Sequence, residues 1–309
     1  MLKNFFLVVI CLIFLNSKSL SKTNVFISVT IDDEIITNHD IKDEADYLKI
    51  LNPDLDKLNS EKILNISKNS LIREIIKKKE IEKIIDLDQE NPFVKDYLEN
   101  LYKRLNFNNE SDFNDYLKKN SNYTTQQIKE KLKIEIAWNE LIYFKYSYQL
   151  KIDKEKLKKK VNDLKDISRK EYNLSEIVFK NDKNESLESL EKKIKLSISE
   201  IGFGNTANIF SISDSSKFGG KIGWVDENNL SKLISKKLIN VQEEQITDLI
   251  QIGNNFLILK VEKIRQKNIS INKDDELKEM IKFETNRQLN QFSKIFFDKS
   301  KINYSINEK

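Results

Sequence analysis

A chain of 309 residues has room for two domains of ordinary size. With 39% hydrophobic and 33% charged residues, and a net charge of only +4 from 53 basic and 49 acidic side chains, it reads as soluble and helix-rich. Lysines alternate with glutamates along helices, which argues against a nucleic-acid patch. One cysteine and one histidine leave no disulfide framework, no His/Cys metal centre and no ordinary catalytic triad.

The N-terminus carries an export address. Lys3 supplies a positive start, Phe5 to Leu15 is an eleven-residue apolar core, and 16–22 is small and polar. That core is shorter than the ~20 residues a membrane-spanning helix needs, and it fits a secretory signal, placed at 1–21. Ser17/Ser19 or Ser19/Ser21 supplies the small pair before cleavage; retention as an uncleaved anchor is the alternative. Cleavage removes Cys11, the only thiol.

Val25, Ile27, Val29 and Ile31 alternate as a strand that turns at Asp32-Asp33. His39, beside Asp40, reads as a surface or capping residue at a helix start. From Ser60 to Asp86, Ile63, Ile66, Ile72 and Ile76 recur at helical spacing. Asn91-Pro92 predicts a helix with proline in its first position, its core stripe running from Val94 to Leu105. Phe113, Tyr116 and Leu117 mark a shorter helix. Thr124 and Gln127 have capping-box spacing, opening a helix to about Leu150. Its aromatic end, 143–148, either packs on neighbouring helices or forms a sticky surface.

Lys151 to Lys170 reads as a charged helical connector. A strand from Leu174 to Phe179 follows, then helices over Leu187–Ser199 and Phe203–Ile209. All six glycines lie between Gly202 and Gly253, and both prolines lie outside that window. Within it, the polar run from Phe210 to Trp224 holds Gly219, Gly220 and Gly223, which permit positive φ and close backbone contact. A helix over Leu230–Ile239, a strand over Phe256–Val261, a long helix over Asp274–Ser300 and an alternating strand through Ile302, Tyr304 and Ile306 complete the chain. No phosphate-cradling glycine motif occurs, so no nucleotide is expected.

The Phe210–Trp224 loop resembles the signature loop of a parvulin-type (PpiC, rotamase) peptidyl-prolyl isomerase domain. The opening Asp33 to Ile41, the helix succession after it and the closing helix and strand resemble the SurA family of periplasmic chaperones. The resemblance implies an α+β protein. Its mostly helical N-terminal domain (22–168) is completed by the C-terminal helix and strand (267–309), with one parvulin-like domain (169–266) inserted. It implies a periplasmic chaperone for unfolded outer-membrane or other exported polypeptides. No cofactor, nucleotide or nucleic acid is expected, and no stable membrane insertion after signal cleavage.

A parvulin lowers the ~20 kcal/mol barrier to rotation about X-Pro by holding the proline in an apolar pocket above a hydrogen-bonded cluster of two histidines and an acid or cysteine. By their flanking residues these cluster positions fall on Glu176, Ser213 (or Asp214 after a one-residue slip) and Leu257. The pocket positions fall on Leu230, Ile234 and Phe256; Gly219, Gly220, Gly223 and Trp224 form the structural loop. No realignment restores a histidine pair to a chain with one histidine. The expectation is therefore a degenerate parvulin domain acting as a binding platform; the alternative is an active isomerase.

Overall fold

The structure, a computed structural model, describes residues 24–163, 168–181, 185–268 and 272–309; the expected signal peptide lies outside them. β1 (Ile27–Ile31) and β2 (Glu34–Thr37) form an antiparallel hairpin, with Asp32 in the turn at φ 50°. Thr37 caps α1 (Asn38–Leu51) in a reciprocal box: its hydroxyl accepts from the Asp40 amide, and the Asp40 carboxylate accepts from the Thr37 amide. His39 is half-buried inside this first turn and does not cap it.

Four helices follow: α2 (Ser60–Glu82), α3 (Val94–Arg104), α4 (Glu110–Asn120) and α5 (Thr125–Tyr146). The capping box expected from Thr124 and Gln127 opens α5. Pro92 behaves differently. Asn91 accepts from the Phe93 amide through its side chain, closing an Asx turn, and α3 starts at Val94, not at Pro92.

The connector is the largest departure from expectation. Among its described residues only α6 (Lys154–Asn162) is helical, and β3 (Ser168–Phe179) begins well before Leu174. The cause is a partner strand, β6 (Asn255–Asn268), which pairs with β3 from Ser168↔Asn268 to Phe179↔Phe256. Cross-strand pairing overrides the helix propensity of a Lys/Glu-rich stretch.

Between those strands lie α7 (Leu187–Ile201), α8 (Phe203–Phe210), β4 (Lys221–Asp226), α9 (Lys232–Leu238) and β5 (Ile250–Ile252). The antiparallel sheet runs β4-β3-β6-β5. Side chains alternate across it, so each face has its own core. Leu174, Val178, Leu257, Leu259 and Val261 meet Leu238 and Ile250 on one face. Ile177, Phe179 and Ile258 meet Ile194 of α7 and Phe203 and Ala207 of α8 on the other.

α10 (Lys273–Lys301) returns to the helical part. Trp138 of α5 is 1% exposed, donates its indole N–H to Ser293 Oγ at 2.8 Å and stacks on Phe296. Tyr146 stacks on Phe292 with ring centroids 5.0 Å apart. Tyr143, Phe144 and Tyr148 instead remain exposed, so the aromatic end of α5 divides between packing and solvent. β7 (Ile306–Glu308) pairs with β1, completing a second sheet in the order β2-β1-β7. The mixed α+β class expected from sequence is the one observed, with the C-terminal helix and strand closing on the N-terminal elements. No helix among the described residues is long and apolar enough to cross a membrane.

Candidate functional site

The site lies where the glycine loop crosses β3. The loop is joined to the strand before it turns: the Ile212 amide donates to Val178 O at 2.7 Å, and the Val178 amide donates to Ser211 Oγ at 3.1 Å. A 3-10 turn over Asp214–Phe218 then brings two serines over Glu176. Ser213 Oγ donates to Glu176 Oε1 at 2.5 Å, and Ser215 Oγ donates to the same oxygen at 2.9 Å.

The backbone completes the tether. The Glu176 amide donates to Gly220 O at 2.8 Å. Gly220 has φ 77°, and a Cβ there would lie 2.3 Å from Glu176 O, so no other residue fits without moving the strand or the loop. Gly219, at φ 66°, ends the 3-10 turn.

The three cluster positions do not converge. Glu176 and Ser213 meet, but Leu257 stands opposite Val178 and is 4% exposed in the apolar core. The residue paired with Glu176 is Leu259, which also offers no donor or acceptor. Asp214 turns away from Glu176 toward Lys77 of α2, 3.1 Å distant. Ser215 was not singled out from the sequence; its only signal is the run of serines around Asp214.

The apolar positions divide likewise. Leu230 and Ile234 pack on the face that holds Leu257. Phe256 lies on the opposite face, its ring 5.9 Å from that of Phe179, and lines no common pocket with them. Gly223, at φ 87°, faces open space beside a bulge between β3 and β4. Trp224 stacks under the Arg265 guanidinium at 4.0 Å.

The helical part holds the outer side of the loop, through contacts that sequence spacing does not reveal. Lys217 donates to Glu135 of α5 at 2.9 Å. Phe218 lies 3.8 Å beneath the Arg104 guanidinium, whose Nη2 donates to Lys221 O at 2.6 Å. Asn52 Nδ2 donates to Asn208 Oδ1 at 2.6 Å. Burial alone would push the Lys217 ammonium down, but Glu135 and Glu74 outweigh it and hold the group charged.

A four-stranded antiparallel sheet with α7 and α8 on one face, α9 on the other and a glycine loop crossing its second strand defines a parvulin-type module. Residues 174–263 match the family model of the PPIC-type peptidyl-prolyl isomerase (rotamase) domain, so the chain carries such a domain, and the resemblance read from the glycine loop holds. The periplasmic chaperone PpiD of Buchnera aphidicola subsp. Schizaphis graminum is 28% identical over 249 residues. That alignment takes in 77% of this chain and 37% of PpiD, so the chain spans little more than a third of its relative's length. Among solved structures, a SurA-like chaperone of Campylobacter jejuni is 16% identical, over 92% of this chain and 98% of that one, at a TM-score of 0.34. The foldase PrsA of Streptococcus pneumoniae is 14% identical, over 89% of this chain and 91% of that one, at a TM-score of 0.30.

Proposed function

We propose that this protein is a periplasmic chaperone for unfolded outer-membrane or other exported polypeptides, in which the parvulin-type module is a binding platform. The composition of the Glu176 cluster carries this reading. Its acceptor oxygen takes two serine hydroxyls, and the residue paired with it on β6, Leu259, and the same-face neighbour Leu257 are both leucines. An X-Pro amide being twisted over a barrier of ~20 kcal/mol would meet a loop tether there and no histidine. The single histidine, His39, belongs to α1 in the helical part.

Binding needs less. The half-buried Leu230 and Ile234, and the exposed Tyr143, Phe144 and Tyr148, supply adaptable apolar surface for extended chains. No nucleotide or cofactor is required, and release follows from the client folding elsewhere. On this reading the frame is 22–168 with 267–309, the module is 169–266, and 1–21 directs export. Retention of 1–21 as an anchor is the alternative placement.

A second reading, a working isomerase with an altered site, draws on the family match over 174–263 and on the Glu176–Ser213 hydrogen bond. Protease-coupled prolyl isomerisation, run beside suppression of aggregation of an unfolded outer-membrane protein, separates the two. Aggregation suppressed without turnover is the expected result. Clear turnover abolished by Glu176→Gln would overturn the platform reading.

A further inference from the structure

The loop that crosses β3 is also clasped from outside by a reciprocal exchange of charge. The loop's acid, Asp214, accepts from Lys77 of α2 at 3.1 Å, and the loop's base, Lys217, donates to Glu135 of α5 at 2.9 Å. The two pairs have opposite polarity and sit one turn apart on the 3-10 segment. Behind them Lys131 of α5 lies between Glu44 and Glu74, 2.7 Å from each. The Lys217–Glu135 pair is the more shielded, at 18% and 35% exposed; Lys77 is 13% exposed and its partner Asp214 71%.

This polarity permits one register. A loop shifted by a single turn would set Asp214 against Glu135 or Lys217 against Lys77, and partly shielded like charges repel. The rest of the frame agrees with that register. Arg104 covers Phe218 and holds Lys221 O beyond the turn, while Asn52 holds Asn208 before it. Glu176 ties the inner side of the same segment through Ser213, Ser215 and Gly220. The loop is thus fixed on its inner side by the module and on its outer side by α2 and α5.

We propose that Asp214 and Lys217 are positioning residues through which the helical frame sets the shape of the parvulin-type loop. The face carrying Glu176, Ser213, Leu230 and Ile234 is then complete only while the loop is clasped. The part concerning the shape of the loop stands alone; the part concerning binding rests on the platform reading above.

The test uses the full chain as wild type, Glu135→Lys, Lys217→Glu and the pair combined. Amide hydrogen exchange over 213–220 reports the loop, and exchange in β3 and β6 reports the fold. Binding of a permanently unfolded, carboxymethylated polypeptide containing proline reports the platform. Each single reversal is expected to speed exchange over 213–220 about tenfold and to weaken binding several-fold, with β3 and β6 unchanged. The pair is expected to exchange more slowly than either single variant, since opposite charges face each other again, but not as slowly as wild type, because Glu74 and Lys77 oppose the swapped charges.

Unchanged exchange in both single variants, or no restoration in the pair, overturns the clasp. If a reversal disturbs β3 and β6, Glu135→Gln and Lys217→Gln take its place, and unchanged loop exchange in those variants overturns the proposal equally. Failure of the wild type to bind the polypeptide removes the platform reading and leaves the exchange result to decide the clasp.

Discussion

At Gly220 two requirements coincide, a positive φ and the backbone of β3 lying where a side chain would begin. Gly223 meets only the first, because a Cβ there would face open space. Gly223→Ala is therefore expected to cost about 1–2 kcal/mol in backbone strain alone, and Gly220→Ala distinctly more, since Glu176 O must also move. Denaturant unfolding of the two variants side by side measures the difference; equal costs would contradict the close crossing. The glycine pair was legible in the sequence because its demand is local. The fate of the cluster residues was not. Glu176 and Ser213 could be placed by their neighbours, but which β6 residue stands opposite Glu176 depends on strand register, and register put Leu259 there and sent Phe256 to the far face. Ser215 joined the cluster because a 3-10 turn brought it round, and serine runs do not announce their turns.

The helices divide by the same logic. Thr124 with Gln127 is a signal read within four residues, and α5 starts where it lies; at α1 the cap is Thr37 with Asp40, a box of the same spacing, and not the neighbouring His39. The first half of β3 carries no such signal. Its Glu171 is held 2.6 Å from Arg265, a residue far along the chain, and the strand exists there because β6 does. β7 is a three-residue strand of the same kind, stable only against β1. Next to it, Tyr304 donates its hydroxyl to Glu80 of α2 at 2.6 Å. Deleting Ile302 to Lys309 removes both contacts and exposes the edge of β1. The expected result is a fall of about 5 °C or more in the melting of the helical part, read by circular dichroism. An unchanged melting temperature would mean that β7 contributes nothing to the frame.

For the molecule as a whole, the charges between frame and module set a pH range. Lys77 beside Asp214 holds its carboxyl down to about 2, against an ordinary value of 3.8. Burial works to raise Glu135, but Lys217 and Lys77 prevail and hold it below the ordinary carboxylate range. Carboxylates whose folded value is lowered bind fewer protons folded than unfolded. Their contribution is therefore full above about pH 5 and is lost as the pH falls toward 2. Glu44, raised by burial, has the opposite sign and gains on acidification. Lys77 lies 5.4 Å over the Trp138 ring, which makes that indole a reporter of the clasp. In a Trp224→Phe background, Trp138 emission is expected to hold steady from pH 7 to pH 5 and to change between about pH 4 and 2. That change should precede the loss of far-UV circular dichroism. Emission that moves only with global unfolding would show that the clasp carries no acid-labile charge.

The pairing of β1 with β7 also sets an order of events during synthesis. Asp32 and Ser305, which close that edge, are separated by 273 positions along the chain. A chain made from its N-terminus holds β1 without its outer neighbour until nearly every residue described here has been added. The strands of the module, from Ser168 to Asn268, lie close together in the chain and need not wait. The sheet built from 168–268 can therefore pair before β7 reaches β1. Until then the helical part keeps an open strand edge, exposed to mispairing with neighbouring chains if the last step is delayed.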